Sequence, residues 1–222
     1  MQDVVLKSPV AFAQASKKPV NGQVNGMEIA LSFADASVEA AHSETLGICD
    51  VSNLSRFGVK GPHAADWLTA SNITLPAGTN RWTKLDSGSL VMRLGNTEFL
   101  LEDQPENGLC QTLSEANVNE SGVHKVIRND AAFIVSGELT PALFSEVCAI
   151  DLNGDALEDN RLVMTVIAGV SATMLKQELN GQSVYRIWCD GTYGPYMWKT
   201  LLGIIEELGG GPVGFNFYYK IN

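Results

Sequence analysis

The chain has 222 residues, 45% of them hydrophobic and 18% charged, so it is long and apolar enough to bury a core without disulfides or metals. Its formal net charge is −10, and an acidic field of this size repels nucleic-acid phosphate and anionic membrane surfaces. These numbers exclude a disordered chain and argue against nucleic-acid or membrane partners.

The localisation expected from the sequence is cytoplasmic. Lys7, Pro9 and Lys17 interrupt the region where a signal peptide would need a continuous apolar segment. No run of about 18 apolar residues occurs, so no membrane-spanning helix is predicted. The cysteines form no C-x-x-C pair, which is typical of buried thiols in a reducing compartment. They are Cys49, Cys110, Cys148 and Cys189.

Residues 1–45 are predicted to form an irregular N-terminal arm. Proline and glycine punctuate the arm, and 27–33 is its one strand-like run. A first half-repeat follows over 46–122. Its elements are a strand at 55–61, a helix at 63–70, a hairpin over 89–101 that turns at Gly95-Asn96, and a helix that opens at Pro105.

A second half-repeat over 123–222 has the same order of elements. They are a strand at 131–137, a helix beginning at Thr140, a hairpin over 171–189 that turns at Asn180-Gly181, and a helix over 195–208. An F-x-V-x-G signature in the first strand of each half, ending at Gly61 and at Gly137, strengthens the match. An internal duplication is favoured over a coincidence of common elements.

This order of elements predicts an α+β fold with two pseudo-symmetric βαββα halves. The hairpins are local links, so antiparallel or mixed sheets are expected rather than a doubly wound parallel sheet. The arm and the two halves are expected to form a single compact domain.

Catalytic and metal-binding motifs are mostly missing. Gly209-x-Gly211-x-x-Gly214 matches a dinucleotide fingerprint, but it follows a helix and has no βαβ unit after it. The segment 151–155 begins like a calcium loop, yet the positions of its turn glycine and its bidentate glutamate hold Ala156 and Leu162. The histidines are far apart and no nucleophile motif occurs, so no catalytic residue and no metal site are predicted.

Three segments carry a family resemblance. CDVSNLSRFGVKGPHAADWL (49–68), GSLVMRLGNTEFLLED (88–103) and EELGGGPVGF (206–215) resemble motifs of the folate-binding domain of glycine-cleavage T-protein aminomethyltransferases. The leader KSPVAF, the F-x-V-x-G repeats and the chain length are more similar still to the gamma-subunit family of heterotetrameric sarcosine oxidases. The resemblance implies a T-protein-like folate-binding domain fold.

The sequence departs from the transferases where their chemistry lies. The resemblance places their one-carbon Asp at Ser87 or Gly88, and Asp86 is one or two residues away. It places the Glu of their Gly-Tyr-Thr-Gly-Glu loop near Pro195, in the segment 191–195. The family also continues into C-terminal domains beyond the position of Asn222. The resemblance therefore implies that tetrahydrofolate binds weakly, if at all.

The function implied is that of a non-catalytic gamma-type subunit of a sarcosine-oxidase-like flavoprotein complex, with no activity of its own. Flavin and NAD are expected on the alpha- and beta-type partner subunits, and no cofactor is expected to bind tightly to this chain. Tyr193, Tyr196 and Tyr219 are the predicted interface residues, because exposed aromatic side chains suit such contacts. Trp188, Trp198 and Phe217 are instead assigned to the core.

Two alternatives stay open. In the first, the chain is a stand-alone folate-binding aminomethyltransferase-like enzyme, in which Asp86 replaces the missing acid. In the second, it is a folate-sensing module that performs no chemistry. The amine that a complex would oxidise does not follow from the residues.

Overall fold

A computed structural model describes residues 5–152 and 155–220 of the chain. Their contacts divide the chain into two compact units. Unit 1 combines residues 1–53, 130–158 and 163–222, and unit 2 combines 54–129 with 159–162.

The strands, in chain order, are β1 (Leu6–Lys7), β2 (Val20–Val24), β3 (Met27–Ser32), β4 (Gly47–Asp50), β5 (Arg56–Lys60), β6 (Arg81–Lys84), β7 (Leu90–Arg93), β8 (Glu98–Glu102), β9 (His124–Val126), β10 (Asp130–Ser136), β11 (Leu162–Ile167), β12 (Val170–Leu179), β13 (Gln182–Asp190) and β14 (Gly211–Pro212). The helices are α1 (Ala11–Gln14), α2 (Ala36–Thr45), α3 (Ala64–Ala70), α4 (Leu109–Glu115), α5 (Thr140–Val147), α6 (Gly194–Glu207) and α7 (Phe215–Tyr218). No helix in the described ranges is long and apolar enough to cross a membrane.

The description of residues 1–45 as an irregular arm with one strand is wrong. The described part of this segment contains a three-stranded sheet, in the order β1-β3-β2, and two helices. Strand β2 has the polar sequence VNGQV, which lacks apolar alternation and so escaped detection. It pairs with β3 through a turn at Asn25-Gly26, where both residues have positive φ. That Asn-Gly dipeptide was the available hairpin signal.

Unit 2 is built on a five-stranded antiparallel sheet in the order β6-β7-β8-β5-β9. Its core packs α3 and α4 against one face of the sheet, and Trp67, Leu68 and Leu113 are central to it. The predicted strand at 55–61, helix at 63–70 and hairpin at 89–101 are confirmed, although the hairpin turn has no residue with positive φ. Helix α4 begins at Leu109 rather than at Pro105, because Glu106 and Gly108 adopt left-handed backbone conformations that a helix excludes.

Unit 1 contains a six-stranded mixed sheet in the order β11-β12-β13-β10-β4-β14. Strand β14 runs parallel to β4, whereas the pairs β12–β13, β13–β10 and β10–β4 are antiparallel. Helices α5 and α6 bury Leu143, Phe144 and Trp198 in its core. The Asn180-Gly181 turn is confirmed, with positive φ at both residues. The predicted α+β class with antiparallel and mixed sheets is therefore confirmed.

The two halves share one strand order. Strands β6-β7-β8-β5 of unit 2 correspond to β11-β12-β13-β10 of unit 1, so each half has three strands after its first helix rather than the two predicted. The repeated glycines are equivalent. A Cβ added at Gly61 would lie 2.1 Å from the carbonyl oxygen of Gly122, and a Cβ added at Gly137 would lie 2.5 Å from the carbonyl oxygen of Thr45. The F-x-V-x-G signature thus marks a position where two backbones approach closely.

The predicted boundaries at 46–122 and 123–222 differ from the contact units because the strand that precedes each half in the chain pairs with the sheet of the other half. Strand β4 comes before β5 in the chain but pairs with β10 in unit 1. Strand β9 comes before β10 but pairs with β5 in unit 2. Such long-range pairing leaves no local sequence signal, so composition alone could not reveal it.

Candidate functional site

Asp86 lies in the turn between β6 and β7 and is exposed. The turn is closed by hydrogen bonds from the Leu85 amide to the Ser89 carbonyl (2.9 Å) and from the Gly88 amide to the Leu85 carbonyl (2.8 Å). In the part of the chain that the structure describes, the Asp86 carboxylate has no hydrogen bond and no ion pair. It is an exposed surface group, whereas a catalytic carboxylate is usually prepared by burial and by a specific charged partner.

A buried polar cluster follows this turn. Ser89 Oγ donates to Asp103 Oδ1 (3.0 Å), and the Cys110 amide donates to Asp103 Oδ2 (2.8 Å). Asn107 Nδ2 in turn donates to Ser89 Oγ (2.6 Å). Burial raises the pKa of Asp103, and the hydrogen bonds from Cys110 and Ser89 oppose that rise. Asp103 thereby satisfies an amide in the first turn of α4, which is a structural role.

Beside this cluster lies a buried ion pair that the sequence analysis missed. Arg56 on β5 is directly opposite Glu102 on β8, and Arg56 Nε is 2.7 Å from Glu102 Oε2. Both side chains are nearly inaccessible. Opposed residues of unlike charge on neighbouring strands are a favourable pair, but strand pairing has to be known before the pair can be found.

The segment 191–195 of unit 1 forms the entry to α6. Asp190 Oδ1 accepts hydrogen bonds from the Thr192 amide (2.8 Å) and from Thr192 Oγ1 (2.6 Å), and these bonds lower the pKa of Asp190. Pro195 occupies the first turn of α6, where its missing amide hydrogen costs little. The position where the resemblance places the transferase Glu therefore presents no ionisable group.

The three predicted interface tyrosines differ in exposure. Tyr193 and Tyr196 are 53% and 52% exposed, and Tyr196 Oη donates to the Ala168 carbonyl (3.0 Å). Tyr219 is only 7% exposed, so its prediction as a surface contact is wrong. Its ring stacks on Phe215 at 4.9 Å, and its hydroxyl accepts a hydrogen bond from Arg186 Nη1 (3.2 Å). The buried guanidinium satisfies the tyrosine hydroxyl, which permits its burial.

Of the aromatic residues assigned to the core, Trp188 and Trp198 are fully buried and Phe217 is half-buried. Phe217 lines a half-open cavity of about 600 Å³ in unit 1. The two amide side chains there already donate within the protein, Asn180 Nδ2 to the Tyr218 carbonyl (2.8 Å) and Gln182 Nε2 to the Ser43 carbonyl (2.7 Å). Among the described residues that line the cavity, Lys220 is the charged one, and no acid or nucleophile accompanies it there.

The thiols are not prepared for nucleophilic chemistry. Burial raises the pKa of Cys189 to about 12 and raises the pKa values of Cys49 and Cys110 as well. Nearby Asp130 and Asp190 add to the rise at Cys189. Because the thiolate is the reactive form, these three cysteines act as packing residues. All four cysteines are free, and Cys148 is half-buried.

No group of three or more His, Cys, Asp or Glu side chains within 5–152 and 155–220 could hold a metal ion. Asn153 and Gly154, in the segment that begins like a calcium loop, lie outside the described residues. The structure thus brings together Ser89 with Asp103, and Arg56 with Glu102, while Asp86 stays apart on the surface. Ser89 and Asp103 are at the two ends of one hairpin, whereas Arg56 and Glu102 come from segments farther apart in the chain.

Comparisons with known proteins agree on the fold. An aminomethyltransferase from Thermotoga sp. (strain RQ2) is 22% identical over 207 residues, which are 85% of this chain and 56% of that protein. The chain thus spans a little over half the length of this curated relative. Glycine cleavage system aminomethyltransferase T from Bartonella henselae matches with a TM-score of 0.75 at 16% identity, over 97% of this chain and 61% of that one.

A chain of heterotetrameric sarcosine oxidase from Corynebacterium sp. U-96 also matches, with a TM-score of 0.64 at 24% identity. This match covers 80% of the present chain and 94% of the other. The family model of the GCVT N-terminal domain matches residues 12–218, nearly the whole chain. The chain belongs to the GCVT N-terminal domain family.

Proposed function

We propose that this chain is a non-catalytic, gamma-type subunit of a sarcosine-oxidase-like heterotetrameric flavoprotein amine oxidase. It supports the large subunit, while flavin and NAD reside on the partner subunits and this chain holds no cofactor tightly. The complex oxidises sarcosine or a related N-methyl amino acid in tetrahydrofolate-linked one-carbon metabolism in the cytoplasm.

One observation carries the proposal: neither motif position that is ionisable in the transferases is ionisable here. Ser87 and Gly88 occupy one position, and Pro195 occupies the other. Asp86, the nearby carboxylate, is on an exposed turn without partners in the described part of the chain. A folate-dependent transferase needs a placed acid, because proton transfer requires a group within hydrogen-bond reach of the reacting atom.

The buried carboxylates do not replace the missing acids. Both oxygens of Asp103 accept hydrogen bonds from the protein, and Glu102 is paired with Arg56. Groups bound in this way stabilise the fold and are not accessible to a substrate. The raised thiol pKa values of Cys49, Cys110 and Cys189 argue in the same direction.

The extent of the structural matches adds support. The chain covers 94% of the matched sarcosine oxidase chain but 61% of the aminomethyltransferase T chain. At these identities the similarity concerns the fold. The near-equal length of this chain and the matched sarcosine oxidase chain supports a subunit role. Tyr193 and Tyr196, which remain exposed, are the proposed contacts with the partner.

The alternative is a folate-binding aminomethyltransferase-like protein that acts alone, and the curated Thermotoga relative favours it. Calorimetry with tetrahydrofolate separates the two proposals. The subunit role predicts no micromolar binding, and no change on Asp86→Ala. Micromolar binding that Asp86→Ala abolishes, while the exposed control Asp66→Ala preserves it, would establish the alternative.

The direct experiment is coexpression with the large flavoprotein subunit of a sarcosine oxidase from the same genome. A tagged chain is expected to retain the yellow flavoprotein, although alone it is colourless and inactive. Tyr193→Ser and Tyr196→Ser are expected to weaken retention, whereas Val38→Ser, at another exposed apolar side chain of unit 1, is the control. A chain that stays monomeric beside its coexpressed partners contradicts the subunit role.

A further inference from the structure

Unit 2 carries three arginines in a row at the edge of its sheet. Arg81 on β6 is directly opposite Arg93 on β7, and on its other side Arg81 pairs with Arg161 through an isolated antiparallel bridge. Directly opposed residues point to the same face, and their Cα atoms are about 4.5–5.5 Å apart. The three side chains therefore point to one face of the sheet, and their Cα atoms span about 10 Å across the strands. We call these three residues the arginine row.

The charge of the arginine row is not matched by carboxylates. In the ranges that the structure describes, none of the three guanidinium groups forms an ion pair. Arg81 Nη1 donates to the backbone oxygen of Asp159, and Arg93 donates to the carbonyls of Pro76 (3.5 Å) and Asn96 (3.3 Å). These carbonyls orient Arg81 and Arg93 but supply no negative charge to match the row.

Such an arrangement needs a reason, because like charges directly opposite each other on neighbouring strands are destabilising. The protein has a net charge of −10, so acidic side chains for a counter-charge are plentiful elsewhere in the chain. Arg161 is exposed and Arg81 and Arg93 are half-buried, so donors of the row remain accessible. The guanidinium fork pairs well with carboxylates, and partial burial reduces the entropy lost on binding.

We propose that the arginine row is a docking surface for an acidic segment of a partner polypeptide. The row runs across the strands, so its Cα atoms are about 5 Å apart, which is comparable with the spacing of side chains on one face of a peptide. Such side chains are about 5–6 Å apart in a helix and about 6–7 Å apart in an extended strand. The inference rests on the proposed subunit role, because that role supplies the partner polypeptides.

A peptide measurement tests the surface without the natural partner. Fluorescence anisotropy compares a labelled hexaglutamate with a labelled hexaglutamine on the whole chain, at low and at physiological ionic strength. Hexaglutamate is expected to bind, more weakly as salt rises, while hexaglutamine does not. The double variant Arg81→Gln/Arg161→Gln is expected to raise the Kd about tenfold, since one half-buried and one exposed charge contact are lost.

Lys84→Gln is the matched control, because Lys84 is exposed on the same strand but on the opposite face from Arg81. It is expected to change the Kd by less than about twofold. Equal weakening by Lys84→Gln, or no weakening by the double variant with its circular dichroism melt unchanged, overturns the docking surface. Binding of hexaglutamate and hexaglutamine alike has the same consequence.

Coexpression distinguishes failure of this surface from failure of the proposed function. If the wild-type chain retains the flavoprotein and the double variant retains it equally well in salt, the docking surface is overturned and the subunit role stands. If the wild-type chain retains no flavoprotein while hexaglutamate still binds at the row, the subunit role is overturned and the surface stands.

Discussion

Replacing Asp103 by alanine is expected to destabilise unit 2, because two buried donors lose their acceptor. The Ser89 hydroxyl and the Cys110 amide both donate to this carboxylate, and Asp103 itself is 1% exposed. A buried donor without an acceptor costs about 1–3 kcal/mol. The cost of burying the carboxylate, which the variant removes, offsets part of that loss, so we expect a decrease of about 2–4 kcal/mol in the free energy of unfolding.

Urea unfolding followed by circular dichroism measures this change, and thermal unfolding gives a second readout. For a chain of this length, a loss of 3 kcal/mol corresponds to a decrease of about 6–12 °C in Tm. Asp86→Ala is the matched control, since it removes an exposed carboxylate from the adjacent turn and is expected to change stability by less than about 0.5 kcal/mol. An Asp103→Ala variant as stable as this control would refute the assigned role of the cluster.

The pH dependence gives Asp103 a further test. Burial raises its pKa above the ordinary value of 3.8, so the folded state keeps a proton that the unfolded state releases. The stabilisation linked to this proton is fully present below pH 3.8 and is lost as the pH rises through the folded pKa. Relative to the isosteric Asp103→Asn variant, the wild type should lose stability as the pH rises across this window. A pH-independent difference between the two proteins would contradict the raised pKa.

Two glycine variants and thiol labelling test other parts of the structure. Gly137→Ala is expected to destabilise unit 1 by more than about 2 kcal/mol, because φ is +110° and the added Cβ would be 2.5 Å from Thr45. Gly203→Ala, inside α6, is the control: its added Cβ meets no atom within 4 Å, and the variant should stabilise the protein by about 0.5–1 kcal/mol. Equal effects in urea unfolding would rule out the close backbone approach. In native protein at neutral pH, Ellman's reagent should modify Cys148 well before Cys189, whose pKa is about 12; rapid modification of all four thiols would contradict the buried assignments.

Local sequence signals predicted most of the helices, strands and turns. The Asn180-Gly181 turn, the helix with Pro195 in its first turn and the repeated F-x-V-x-G strands all depend on neighbouring residues, and the structure places them as predicted. The polar strand β2 was missed although Asn25-Gly26 marks its hairpin, because apolar alternation was given more weight than turn chemistry.

The candidate site was less predictable, because its contacts depend on strand pairing and on which side chains become buried together. Asp86 attracted attention by its place in a motif, yet it is a solvated turn residue, and the carboxylate that accepts buried hydrogen bonds is Asp103. Tyr219 was expected at the surface, but the hydroxyl of this aromatic residue is satisfied by Arg186 from a strand far earlier in the chain. Exposure depends on which side chains meet, and periodicity does not report that.

By itself, the sequence determined the α+β class and the internal repeat, since both follow from residue identity and local spacing, while the family resemblance implied the loss of the ionisable groups at the two transferase positions. Only the tertiary structure decided that β4 and β9 exchange between the halves, that Glu102 meets Arg56, and that three arginines align across Arg81. The physical reason is strand register: a shift of one residue turns every side chain to the other face, and register is set by packing between segments remote in the chain.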